Sequence, residues 1–238
     1  MAATQFLETP QGRRLAYHKT EGAGPCIVFL GGLKSDMEGT KAVHLEAWAR
    51  SQGRAFLRFD YSGHGESSGT FEEGCIGDWH EDVLAALDAL TEGPLIVVGS
   101  SMGGWQALLL ARERPDRIAG MVTIAAAPDF TEDGWWAGFD AAQRATLEET
   151  GQVELPSDYM EPYVVTRRMI EDGRQRLVLR APLSLPFPMR CLQGTADTAV
   201  STQTALRLLD HAECDDMRLL LVKDADHRFS DGPCLGLI

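Results

Sequence analysis

An α/β architecture, a mostly parallel central sheet flanked by helices and carrying an inserted helical cap, is predicted by three observations. Apolar, β-branched runs alternate with helix-forming stretches along most of the chain. The alternation breaks once, between residues 129 and 188. A strand at 95–98 passes into a helix through Gly99, Ser100, Ser101, Met102, Gly103 and Gly104, which leaves no room for an ordinary loop.

Each element follows in order. Residues 15–20 suit an early edge strand after a Pro/Gly turn at 10–12. The run CIVFL at 26–30 is continuously apolar and stops at Gly31-Gly32. A helix is predicted around 40–51, closed by Gly53, and a strand at 55–61. Residues 79–90 form a helix with Val83, Leu84, Leu87 and Leu90 on its apolar side. The strand at 95–98 leads into strong helix formers at 105–112, and a further strand at 118–127 ends at Pro128. The stretch 129–188 is too long to be structureless in a compact domain, so it is assigned to a cap between core segments 1–128 and 189–238. The rhythm resumes with a strand at 189–193, a helix at 202–211 and a strand at 217–222. Eleven residues follow His227, where a sheet of this kind usually needs one more covering helix; the C-terminus therefore looks clipped.

A chain of 238 residues fits one large domain, and 44% hydrophobic with 24% charged residues is ordinary for a globular protein. The formal charge of −13 repels nucleic acid and anionic membrane surfaces, which leaves a small molecule as the expected partner. Five scattered cysteines without a C-x-x-C pair read as free, buried thiols in a reducing compartment. The first fourteen residues lack a signal core and an Arg/Ser-rich transit pattern, and no apolar run reaches membrane-spanning length. The expectation is a cytoplasmic protein with no stable membrane association; its oligomeric state is not legible.

Gly99-Ser100-Ser101-Met102-Gly103 is a G-x-S-x-G, and centring it on Ser100 would need glycine where Val98 stands. Between strand and helix this motif displays the serine hydroxyl at the sheet edge, with the Met102 N–H at a helix N-terminus able to face a developing oxyanion. A hydroxyl needs a base, and the base needs an orienting carboxylate. His227 follows the last strand, whereas His211 closes a helix, where a dipole contact explains it. For the acid, Asp197 after the 189–193 strand is favoured; Asp129 competes, and Asp226 is too close to His227 in sequence to bond its Nδ1. The second oxyanion donor is expected from Leu33, after Gly31-Gly32. No cofactor or metal is expected. The loop at 63–69 misses a dinucleotide fingerprint because Ser68 replaces its third glycine, and His80-Glu81 lacks a second histidine at Leu84.

With "RFDYSGHG", "GSSMGGW" and "DADHR" added, the chain resembles the α/β-hydrolase superfamily over its whole length. Within it, these tracts resemble the mitochondrial palmitoyl-protein thioesterases and acyl-glucuronide esterases of the abhydrolase-domain group, with their bacterial relatives. The resemblance implies Ser101 as nucleophile, Asp197 as acid and His227 as base, in a serine hydrolase of carboxylic esters or acyl thioesters (EC 3.1). Trp135, Trp136, Tyr159 and Tyr163 are candidates to line a medium-to-long acyl pocket, with packing of the cap onto the sheet as the competing explanation. Two other activities share these residues: a weakly catalytic ligand-binding or receptor-type protein, and an acyltransferase.

Overall fold

The computed structural model describes residues 3–156 and 162–238. The chain begins with β1 (Gln5–Glu8), β2 (Arg14–Thr20) and β3 (Ala23–Leu30), followed by α1 (Thr40–Ser51), β4 (Arg54–Phe59) and α2 (Ile76–Leu90). Next come β5 (Leu95–Ser100), α3 (Met102–Glu113) and β6 (Ile118–Ile124). The segment that follows holds a π-helical turn (Thr131–Trp136), α4 (Ala141–Thr150), β7 (Gln152–Leu155), β8 (Tyr163–Thr166), α5 (Arg167–Arg174) and the short β9 (Leu183–Ser184). The chain finishes with β10 (Met189–Gly194), α6 (Thr202–His211), β11 (Ala212–Glu213), β12 (Met217–Val222) and a four-residue α7 (Gly232–Leu235).

Eight strands form one sheet in the order β1-β2-β4-β3-β5-β6-β10-β12. The β1–β2 and β2–β4 pairs are antiparallel and every other pair is parallel. Period-two alternation sends β3 side chains to both faces. Val28 and Leu30 join a core with α2 and α3, while Ile27 and Phe29 join one with α1 and Phe229. Coverage on both sides explains why the parallel strands read as unbroken apolar runs. A third, smaller core of Phe139, Leu147, Val153, Val165 and Ile170 belongs to the segment between β6 and β10.

The structure departs from the sequence reading in two places. Residues 15–20 are not at the edge, because β1 pairs outside β2. Three of the four β1 residues are exposed, so no half-buried alternation marks it. The segment after β6 is also not purely helical: β7 and β8 pair antiparallel within it. There Gly151, at φ 83°, ends α4 and reverses the chain directly into β7.

Candidate active site

Ser101 stands between β5 and α3 at φ 54°, ψ −117°, a region that costs an L-residue about 1–3 kcal/mol. The surroundings impose it. A Cβ on Gly99 would meet the Gly103 carbonyl oxygen at 2.4 Å, and one on Gly103 would meet the Leu30 carbonyl oxygen at 2.0 Å. Only glycine lets α3 start this close to β5 and β3. The Ser101 N–H donates to the Ile124 carbonyl, and its carbonyl accepts from the Gly104 and Ala127 N–H groups. With its backbone fixed on three sides, Ser101 presents a half-buried hydroxyl above the carboxyl ends of the strands.

His227 reaches this hydroxyl from the loop after β12, and Asp197 reaches His227 from the loop after β10. His227 Nε2 lies 3.1 Å from Ser101 Oγ, and His227 Nδ1 lies 2.8 Å from Asp197 Oδ2. The Asp197 side chain is fully buried and that of His227 is 17% exposed. Burial alone would raise the Asp197 pKa. The hydrogen bond from His227, the Val200 N–H and the Gln193 amide outweigh it and hold the carboxyl below its usual range.

The two other aspartates weighed from sequence are committed elsewhere. Asp129 is fully buried and accepts from the Val178 and Leu179 N–H groups, with Arg180 alongside. Burial nevertheless raises its pKa. Asp226 Oδ1 accepts from the Phe229 N–H and closes a turn.

The loop after β3 abuts Ser101: a Cβ on Gly32 would stand 3.3 Å from Ser101 Cβ. Among the described residues, neither the Leu33 N–H nor the buried Met102 N–H has an acceptor. An unmet buried N–H costs about 1–3 kcal/mol, which leaves the Met102 donor at the start of α3 open to an acceptor from outside the chain. Asp60 braces this loop by accepting from the Met37 N–H at 2.6 Å and the Glu66 N–H at 2.9 Å.

Of the four aromatics singled out from sequence, Tyr159 lies outside the described residues. Trp135 continues an edge-to-face series from Trp105 through Phe130 and leans on Tyr163 at 6.2 Å. Trp136 turns to Phe139, with the guanidinium groups of Arg144 and Arg174 over its ring. Among the described residues, no group of three or more His, Cys, Asp or Glu is arranged to hold a metal ion.

Two supporting residues escaped the sequence reading. Gln193 donates to Asp197 Oδ2 at 3.0 Å and to the Val200 carbonyl. Lys41 donates to the Arg228 carbonyl beside His227. A polar residue closing an otherwise apolar strand was the available signal for Gln193; Lys41 sits on a helix distant in sequence and gave none.

A profile of the alpha/beta hydrolase fold matches residues 29–169, more than half of the chain. The chain belongs to the alpha/beta hydrolase fold family. Within the family it is 36% identical over 228 residues to the rat palmitoyl-protein thioesterase ABHD10, mitochondrial, covering 95% of this chain and 76% of the relative. A solved structure from Agrobacterium vitis S4 superposes with TM-score 0.95 at 41% identity, covering 99% of this chain and 95% of that one. The mouse alpha/beta hydrolase domain-containing protein 10 superposes with TM-score 0.92 at 34% identity, with the same coverage. Relatives named as thioesterases support a hydrolase activity for this member of the family.

One expectation is overturned. The rat protein and its bovine, human and mouse counterparts are named mitochondrial, which points away from a cytoplasmic location. The cytoplasmic reading rested on a missing leader pattern, and such an absence carries no information about location. Among the described residues, no helix is long and apolar enough to cross a membrane.

Proposed function

We propose that the protein is a serine hydrolase of carboxylic esters or acyl thioesters that works through an acyl-enzyme. The observation that carries this reading is the hydrogen-bonded series from Ser101 Oγ through His227 to Asp197. His227 Nε2 takes the hydroxyl proton as Ser101 Oγ attacks the acyl carbonyl carbon. The carbonyl oxygen becomes an oxyanion between the Leu33 and Met102 N–H groups, each worth about 2.7–4 kcal/mol of barrier. As the tetrahedral adduct collapses, the carbon–oxygen or carbon–sulfur bond breaks and His227 returns the proton to the leaving alcohol or thiol. Water, deprotonated by the same imidazole, then attacks the acyl-enzyme; the acyl–Oγ bond breaks, the imidazolium returns its proton to Ser101 Oγ, and the acid departs. Asp197 fixes the imidazole tautomer and stabilises the imidazolium.

In this reading the segment between β6 and β10 caps the site, and Trp135 and Tyr163, which lean on each other, are the candidates to meet substrate. The thioesterase name of the 36% identical relatives supports the thioester branch. The deciding experiment is labelling by a fluorophosphonate probe, followed by product analysis with acyl-CoA and p-nitrophenyl esters. Labelling that survives Ser101→Ala would overturn the reading.

A further inference from the structure

Sheet order gives β12 a neighbour, β10, on one side only. Two hydrogen bonds show how the strand's backbone is turned. The Asp216 carbonyl accepts from the Met189 N–H, and the Val222 carbonyl accepts from the Thr195 N–H. Alternate residues of a strand turn their N–H and C=O groups to opposite sides. Asp216, Arg218, Leu220 and Val222 therefore address β10, along a register that runs without a shift. Met217, Leu219 and Leu221 address the open side. Among the described residues, their N–H and C=O groups meet no partner.

Soluble proteins blunt such an edge with proline, a bulge or a projecting charge. The strand Met217–Val222 has no proline and no bulge. Its one charge, Arg218, is drawn back by Asp216 at 3.5 Å. Leu220 and Leu221 are exposed on opposite faces of the sheet. The other edge is different: β1 is four residues long, and the Arg14 guanidinium covers its Phe6 ring at 4.2 Å. The open side of β12 is built to receive another strand.

Charge complementarity says which strand. Let β12 pair antiparallel with its own copy about a two-fold axis through Leu219. Leu219 then faces the partner's Leu219 and Met217 faces the partner's Leu221, so every outward-turned residue enters a hydrogen-bonded pair. Asp215, just before the strand, falls opposite the partner's Lys223, just after it, and symmetry repeats the contact. Both side chains are exposed, and neither has an ion-pair partner among the described residues. An axis through Leu220 would instead set Asp216 against the partner's Asp224, and one through Arg218 would oppose two guanidinium groups. On the Leu219 side α6 packs over β10 and β12 and adds exposed Leu206. We infer that β12 pairs with β12 of a second copy in this register, making a symmetric dimer with one sheet running through both molecules. A strand edge with one helix is smaller than the roughly 1,600 Å² of a standard interface, so a reversible dimer with a micromolar Kd is expected.

Sedimentation equilibrium over a range of protein concentrations tests this, with circular dichroism to show that each variant is folded. The wild type should pass from monomer to dimer, and Leu221→Lys should stay monomeric. Asp215→Lys and Lys223→Asp should each raise the Kd by about tenfold, because each sets like charges opposite one another twice. A general charge effect would move these two variants in opposite directions, since one lowers the net negative charge and the other raises it. An equimolar mixture of the two should recover the dimer, because every facing pair in the mixed species is again opposite in sign. A wild type that is monomeric up to about 1 mM overturns the inference. So does a dimer indifferent to Leu221→Lys, a mixture that fails to recover, or growth into open filaments in place of a closed pair.

Discussion

The proposed mechanism concentrates the chemistry in Ser101 and its two hydrogen-bonded partners, and substitution can separate their roles. Ser101→Ala should abolish probe labelling and lower turnover by about 10⁴-fold or more, measured as steady-state kcat on a p-nitrophenyl ester. Asp197→Asn should cost roughly 10³–10⁴-fold, because the amide cannot hold the imidazole in the tautomer that receives the Ser101 proton. Asp129→Asn is the informative contrast. It weakens the acceptor for the Val178 and Leu179 N–H groups, so the unfolding free energy from urea titration should fall by about 1–3 kcal/mol while labelling persists. From sequence Asp197 was favoured and Asp129 competed with it, since each follows a strand of the parallel sheet. What separates them is where their oxygens are used, a matter of contacts across 49 residues for Asp129 and 30 for Asp197. That Ser101 and His227 would meet was legible, because one is fixed by local turn chemistry and the other by chain order after the last strand.

The junction of β5 and α3 is where an element, rather than a side chain, decides the outcome. Gly103→Ala would drive a Cβ to 2.0 Å from the Leu30 carbonyl oxygen. The resulting shift of α3 should cost about 1–3 kcal/mol of stability, read as a lowered thermal midpoint. It should reduce turnover as well, because the same movement displaces the Met102 N–H. The parallel strands and their helices were legible because burial on both faces writes continuous apolar runs into the sequence. β1 and the β7–β8 pair were not. Each is four residues long, exposes part of its surface, and is held by pairing partners that periodicity does not reveal. The segment after β6 was read as a helical insertion and its hairpin was missed, since Trp, Tyr and Pro scattered among charges fit a helix or a loop equally well.

Across the whole molecule, buried ionisable groups set the response to pH. Burial lifts Asp60 from its ordinary 3.8 to about 6, even though two backbone N–H groups donate to it. The folded state therefore keeps this proton where the unfolded chain has released it. The stability Asp60 contributes is complete below about pH 4 and is lost as pH rises through 6, a change of a few kcal/mol. Asp197 has the opposite sign: its pKa is lowered, so its contribution is present above the ordinary carboxylate value and fades on acidification. Asp60→Asn should reduce overall stability and also remove the decline between pH 4 and 6, seen in urea midpoints across that range. The thiols belong to the same scale. Burial pushes Cys26, Cys191 and Cys234 up to about 11 and Cys75 up to about 12. Ellman's reagent should accordingly modify half-buried Cys214 in the native protein at pH 8 and reach the other four only after denaturation.

The imidazole hangs from β12, the outermost strand, whose Leu220 and Leu221 remain 44% and 42% exposed. The hydroxyl rises from β5, deep in the middle of the sheet. The proposed proton acceptor and nucleophile thus belong to regions of unequal sturdiness, and fraying that starts at the rim would part them while the centre stays intact. On slow warming, catalysis should fail some degrees before circular dichroism registers any collapse, leaving a folded protein that has gone silent.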